Sequence, residues 1–261
     1  MFTVEERDRV RDRLLEMARE DPRLVAGALV GSTAAGSDRW SDLDVTFGLS
    51  DDASMQDVLT DWTSRLENEF KAVCLFDLPS LSTVYRVFLL PGNLQVDLSF
   101  TPGHDFGSRG PNFTLLFGTA VKMDEPPPPS AEHLFGLAVH HLVRARICIE
   151  RGRMWQAEFW ISAARDYTLS LACQHRGLRT SYGRGFDDLP AQVLEAFNET
   201  LVRSLGRDQL LHALSRTIDA LLSNSQAARN SAARLEAQLH QLTSTTLAYV
   251  QHWKGDSIEN Y

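Results

Sequence analysis

Residues 29–49, LVGSTAAGSDRWSDLDVTFGL, join two hydrophobic runs through a polar segment that contains glycines. The second run begins with Asp42-Leu43-Asp44, and in a strand the two aspartates project on one face while Leu43 projects on the other. Two neighbouring carboxylates repel each other, and a divalent cation between them removes the repulsion. The stretch therefore predicts two strands, with a metal site where the second strand begins.

The same alternation recurs at residues 94–100, where the hydrophobic side chains face one way and Asp97 faces the other. If this strand lies beside the first, Asp97 joins Asp42 and Asp44 as a third carboxylate on one face. Three hard oxygen donors suit Mg²⁺, and two such ions can hold the attacking and leaving oxygens of an in-line displacement. That chemistry is phosphoryl or nucleotidyl transfer.

The Gly31-Ser32 pair follows the first hydrophobic run and predicts a phosphate-binding turn. Gly31 lets a phosphate approach the backbone, and Ser32 offers a hydroxyl and an amide to bind it. A P-loop fits the first half of this segment, but Ser37-Asp38 stands where that motif requires Lys followed by Ser or Thr. Arg39 could contact the triphosphate of a nucleotide, or it could belong to an exposed turn.

This order of residues resembles the DNA polymerase β superfamily of nucleotidyltransferases. Its signature is Gly-Ser, about nine residues, Asp-x-Asp and a third acidic residue on a later strand, here Gly31-Ser32, Asp42, Asp44 and Asp97. The resemblance implies that Asp42 and Asp44 bind the metal ions and that Ser32 contacts the triphosphate of ATP. It makes Asp97 a third metal ligand or the base that accepts the hydroxyl proton.

A small α/β domain followed by a helical domain resembles the antibiotic-modifying members of that superfamily in particular. Those enzymes transfer AMP from ATP to a hydroxyl of an aminoglycoside or a lincosamide. The resemblance implies an adenylyltransferase involved in antibiotic resistance, with two Mg²⁺ ions, a nucleoside triphosphate and a small-molecule acceptor. Some relatives place a glutamate base on the helical domain, and some share the cleft between two subunits, so a homodimer is possible.

The helix predicted at residues 154–176 carries a polar stripe that includes Trp155, Glu158 and Asp166. These residues can form a solvated face with ordinary ion pairs. Alternatively, they bind the acceptor, because carboxylates attract a cation that is rich in hydroxyl groups. Glu158 could then be the base if Asp97 is not. We interpret the loop at residues 178–190 as a connection between helices.

The spacing of hydrophobic residues predicts an α+β protein, with a mixed β-sheet and flanking helices followed by a C-terminal helical bundle. The predicted domains are residues 1–123 and 131–261, joined by the proline-rich linker at residues 124–130. The first contains strands at 24–30, 43–49, 72–76, 84–90 and 94–100. The second contains about five helices, including 191–205 and 226–253. The apolar segment 108–121 is expected to pack one domain on the other.

The 26 basic and 34 acidic residues give a net charge of −8, which disfavours a nucleic-acid partner. Three widely spaced cysteines are expected to be buried free thiols of a cytoplasmic protein. The charged N-terminal segment predicts no signal peptide, and no membrane span is expected.

Two other functions compete with transfer to a small molecule. One is AMP transfer to a protein side chain, and the other is a non-catalytic antitoxin or interaction protein with the same fold. The presence of all three aspartates disfavours the non-catalytic function, because a protein without turnover has no physical need for them.

Overall fold

The computed structural model describes residues 1–31, 38–108, 112–124 and 127–244 of the chain. The chain divides into two compact units, with the division after residue 126. The N-terminal unit contains a mixed six-stranded sheet with helices, and the C-terminal unit is helical, so the α+β prediction is confirmed. Within the described ranges, none of the helices combines the length and the apolar character that a membrane crossing requires.

The N-terminal unit contains two α-helices and eight strands among the described residues. Its elements are α1 (Val4–Glu20), β1 (Leu24–Val30), β2 (Leu43–Leu49), α2 (Met55–Phe70), β3 (Val73–Ser80), β4 (Thr83–Leu90), β5 (Leu94–Pro102), β6 (Gly107–Ser108), β7 (Phe113–Phe117) and β8 (Val121–Lys122). The main sheet has the order β3-β4-β5-β2-β1-β7, and β6 pairs with β8 separately. In the main sheet β2 and β5 are parallel, and the other neighbouring strands are antiparallel.

The main hydrophobic core of this unit lies between the sheet and helices α1 and α2. It is built around the rings of Phe47, Trp62 and Phe100, whose centroids lie 5.1 to 5.8 Å apart. Helix α2 begins where the Ser54 hydroxyl accepts a hydrogen bond from the backbone N–H of Asp57 at 3.3 Å. Helix α2 forms because one of its faces covers the apolar face of the sheet.

The strands extend beyond two of the sequence predictions. The strand predicted at residues 72–76 is β3, which continues to Ser80 at the edge of the sheet. The segment 108–121 was not predicted as a strand, but its residues Phe113–Phe117 pair with β1 as the other edge strand. Cys74 lies on β3 and is half-buried rather than buried, because an edge strand leaves more of its surface exposed. Cys148 and Cys173 are buried, and all three thiols are free.

The C-terminal unit contains α3 (Ala131–Glu150), α4 (Met154–Gln174), α5 (Ala191–Asn198), α6 (Arg207–Ser223) and α7 (Arg229–Gln241). The predicted helix 191–205 is too long, because the Thr200 hydroxyl donates a hydrogen bond to the carbonyl of Phe197 at 2.6 Å and closes the helix end. The predicted helix 226–253 begins with a 3₁₀ turn at Gln226–Ala228. Its part beyond residue 244 lies outside the described residues.

Candidate active site

Three aspartates converge where β2 and β5 run side by side. The two strands pair in parallel with Asp44 opposite Asp97, and Asp42 precedes the first residue of β2. Each of the three half-buried carboxylates offers an oxygen that lies within 4.8 Å of the oxygens offered by the other two. The structure therefore brings together the three residues that the sequence predicts as metal ligands.

The convergence follows from the alternation of the two strands. Val45 and Leu98 are fully buried in the core against the helices, so the residues between the core positions must project from the opposite face of the sheet. Parallel pairing in register places equivalent positions of the two strands side by side, which gives the Asp44–Asp97 pair. A slip of one residue would move the carboxylates to the core side.

The electrostatics of this face disfavour three bare negative charges. Burial raises the pKa of the Asp97 carboxyl group above its ordinary value, a hydrogen bond from the Gln95 amide at 3.0 Å opposes the rise, and the nearby Asp42 carboxylate adds to it. A cation bound among the three carboxylates would relieve both the repulsion and the cost of burying charge. Mg²⁺ fits this donor set, because it prefers hard oxygen ligands and is commonly bound by carboxylates together with substrate phosphates.

Gly31 lies against the carboxylate of Asp44. Its backbone is in the left-handed region, with φ of 65°, and a Cβ built on it would collide with the Asp44 carboxylate oxygen Oδ2. Only glycine meets both conditions without strain. The end of β1 is therefore beside the aspartates, as the phosphate-turn prediction requires. Ser32, Gly36 and Ser37 lie outside the described residues.

A buried arginine on α1 contacts the turn that leads to Asp42. Nη1 of Arg7 donates hydrogen bonds to the carbonyl oxygens of Asp38, at 2.6 Å, and Ser41, at 3.3 Å. Arg7 does not stand out in the sequence, because α1 is rich in charges. A signal was present, since Arg7 shares the spacing of Val10 and Leu14 on the apolar face of the helix.

Arg39 lies in the same turn, which is exposed. Its guanidinium group stacks over the ring of Trp40, with 4.7 Å from Cζ to the ring centroid, and Trp40 is 64% exposed. A contact of Arg39 with a nucleotide stays a prediction.

The residues predicted to bind the acceptor lie on α4 in the C-terminal unit. Trp155 is 77% exposed, and Glu158 accepts a hydrogen bond from the Ser162 hydroxyl at 2.6 Å. Asp166 lines a cavity of about 440 Å³, together with Tyr167 and, from the following loop, Tyr182 and other residues. Trp155 and Glu158 are not among the residues that line this cavity.

The loop at residues 178–190 does more than connect two helices, because it forms one wall of that cavity. The Ser170 hydroxyl, on α4, lies within hydrogen-bond distance of the carbonyls of Asp166, at 2.9 Å, and Thr180, at 3.1 Å, which ties the loop to the helix. Tyr182 has φ of 56° and an exposed side chain, a strained backbone for a bulky residue. The local sequence does not indicate this conformation at Tyr182.

Comparisons with known proteins give only distant similarity, and this similarity is to solved structures. No model of a protein family matches the chain. No curated protein matches it either. Among solved structures, it is similar to an aminoglycoside 6-adenyltransferase from Bacillus subtilis, with 12% sequence identity and a TM-score of 0.40, over 93% of this chain and 99% of that chain. At this level the similarity gives no information about the substrate of this chain.

Proposed function

We propose that this protein is a Mg²⁺-dependent nucleotidyltransferase that moves AMP from ATP to a hydroxyl group of a small molecule. The observation that carries the proposal is the in-register pairing of Asp44 with Asp97, with Asp42 within reach of both. The signature Gly-Ser and Asp-x-Asp residues of the sequence support it, since Gly31 packs against Asp44. A purely structural role would not need three converging carboxylates on one face.

The proposed reaction exchanges one phosphorus–oxygen bond for another. The acceptor oxygen bonds to the α-phosphorus of ATP, the bond from that phosphorus to the pyrophosphate oxygen breaks, and pyrophosphate leaves. When bound by Asp42, Asp44 and Asp97, Mg²⁺ would supply positive charge against the phosphate oxygens. The proton of the acceptor hydroxyl passes to a carboxylate, for which Asp97 and Glu158 are the two candidates.

The chain's own residues would hold the two substrates. We propose that Gly31, Ser32 and Arg39 bind the triphosphate. For the acceptor we propose Asp166, because its cavity has the size of a small-molecule site and combines a carboxylate with aromatic side chains. A carboxylate beside tyrosine rings favours an acceptor that carries amine groups, as an aminoglycoside or a lincosamide does.

The decisive experiment uses ATP that is labelled on its α-phosphate and measures where the label is transferred. The protein is incubated with labelled ATP, Mg²⁺, a panel of aminoglycosides and lincosamides, and a whole-cell extract, and pyrophosphate release is measured. We expect one small molecule to gain the mass of an adenylyl group, and Asp44→Ala to abolish this gain while the variant stays folded. Label on a protein would instead establish the protein-modifying function, and no transfer to any component would contradict catalysis.

A further inference from the structure

The three aspartates are not fixed in the same way. Asp44 and Asp97 lie inside paired strands, where the backbone hydrogen bonds of the sheet set their positions. Asp42 lies one residue before β2, and the pairing of β2 with β5 begins at Leu43. Asp42 is therefore flanked by the strand on one side, where Leu43 is paired, and by the preceding turn on the other.

That turn, residues 38–41, is closed by its own first side chain. The Asp38 carboxylate accepts hydrogen bonds from the backbone N–H of Trp40, at 2.8 Å, and from the Ser41 hydroxyl, at 3.1 Å. These bonds set the shape of the turn. They do not attach the turn to the rest of the unit, because all of them lie within it.

Arg7 attaches the turn to α1. Arg7 is 3% exposed, and its Nη1 donates to the carbonyls at both ends of the turn, those of Asp38 and Ser41. Helix α1 is itself held by the core, where Leu14 and Met17 are fully buried. Within the described residues, Arg7 thus connects the buried part of α1 to the turn that leads into Asp42.

We propose that Arg7 is a positioning residue that holds Asp42 against Asp44 and Asp97, so that the three carboxylates form one divalent-cation site. This inference rests on the proposed function, since it assumes that these residues bind the metal ion. Residues that orient metal ligands typically change metal affinity by about 10- to 100-fold when they are mutated. A guanidinium group suits this task because its donors are fixed in a plane, whereas a lysine offers one flexible ammonium group.

Arg86 is a matched control in the same unit. Its Nη1 also donates to a backbone carbonyl, that of Leu59 at 2.9 Å, and to the Thr63 hydroxyl at 2.8 Å, while its other nitrogens pair with Asp77. It ties β4 to α2 through a partly buried guanidinium group, and Val87 beside it is the strand residue paired with Asp97. Both arginines therefore link two elements of the unit. Of the two, only Arg7 donates hydrogen bonds to the turn before Asp42.

The test measures metal binding without turnover. Mn²⁺ is titrated into the nucleotide-free full chain and followed by electron paramagnetic resonance, for the parent, Arg7→Lys, Arg7→Met, Arg86→Lys and Arg86→Met. We expect the Arg7 variants to raise the dissociation constant of Mn²⁺ by about 10- to 100-fold. The Arg86 variants should keep it within about twofold, although urea unfolding should show that they are less stable. If Arg7→Met does not fold, the Arg7→Lys and Arg86→Lys pair decides the result.

The outcomes separate this inference from the proposed function. An Asp42→Asn variant shows whether the parent protein binds Mn²⁺ through Asp42. If it does, and the Arg7 variants bind Mn²⁺ as tightly as the parent, the positioning role alone is overturned. Equal losses in the Arg7 and Arg86 variants also overturn it, because they indicate general destabilisation. Parent protein that binds no Mn²⁺ overturns both. In turnover assays, Arg7→Lys should lower kcat and leave the KM of the acceptor unchanged.

Discussion

Two acidic residues of the N-terminal unit show opposite solutions to the burial of a carboxylate. Asp21, at the end of α1, is 6% exposed and accepts hydrogen bonds from Nε and Nη2 of Arg23, at 2.9 and 2.8 Å, and from Trp62 Nε1 at 3.0 Å. The Arg23 guanidinium, with help from Trp62 and against the cost of burial, lowers the pKa of Asp21 to about 2. The fold itself supplies the partners that this charge needs.

Asp97, on the opposite side of the sheet, has a different environment. It accepts one hydrogen bond from a neutral amide, that of Gln95, and burial and the Asp42 carboxylate raise its pKa. Among the described residues, Asp97 forms no ion pair with an arginine or a lysine. Its surroundings therefore disfavour the ionised form of its carboxyl group.

This difference in surroundings distinguishes Asp21, which stabilises the fold, from Asp97, which belongs to the candidate site. A buried carboxylate that the fold compensates adds to stability, whereas one placed next to other carboxylates costs stability until a cation binds. We infer that the unit spends part of its stability on the cluster of Asp42, Asp44 and Asp97, as functional sites commonly do. Each acid can be neutralised by a substitution of the same size, and the two should respond in opposite ways.

Asp97→Asn tests the site acid and should have the largest effect. The substitution removes a metal ligand or base, and a loss of several kcal/mol in transition-state stabilisation corresponds to a fall in turnover of about 10³-fold or more. The free energy of unfolding without metal should stay the same or rise, because one of three repelling charges is gone. Turnover assays and urea unfolding measure the two quantities. A large loss of stability would show that Asp97 is a structural acid.

Asp21→Asn tests the structural acid and should lower the free energy of unfolding at pH 7 by about 2 kcal/mol. The folded-state pKa of Asp21 is below its unfolded value of 3.8, so its contribution is complete above that value and is lost as the pH falls towards about 2. The variant should lack this part of the acid sensitivity. Urea unfolding at several pH values between 2 and 7 measures it.

Asp61→Asn is the matched control for that experiment. Asp61 also pairs with Arg23, at 2.7 Å, but its side chain is 57% exposed, so the pair should contribute less than about 1 kcal/mol. Neither substitution should alter metal binding, since both residues lie in the Arg23 cluster and not among the three aspartates. An equal loss of stability in the two variants would contradict the role assigned to burial.

Local patterns in the sequence predicted much of the N-terminal unit. Strands β1 and β2 have the predicted bounds, because the alternation of hydrophobic residues and the flanking turn residues are local signals. The alternation also predicted that Asp44 and Asp97 share a face. It did not predict that β2 and β5 are parallel neighbours, since pairing depends on the whole sheet.

The missed features depend on contacts between distant residues. Strand β7 forms against β1 partly because Gly27 leaves room for the ring of Phe117, since a Cβ on Gly27 would collide with that ring. The sequence around Phe117 does not indicate that Gly27 leaves space for its ring. The local sequence does not single out Arg7, because its burial depends on carbonyls more than thirty residues away.

Gly31→Ala tests how closely the site acids are packed and should lower stability only modestly. An alanine at φ of 65° costs about 1 kcal/mol of backbone strain, and its Cβ would collide with the Asp44 carboxylate. Gly152→Ala is the matched control, because Gly152 has φ of 68° and nothing lies within 4 Å of the added Cβ. The two variants should lose similar stability in urea unfolding. Weaker Mn²⁺ binding is expected for Gly31→Ala alone, because displacement of Asp44 disturbs the cluster, whereas backbone strain by itself does not. Equal Mn²⁺ affinities in the two variants would contradict the packing of Gly31 against the metal site.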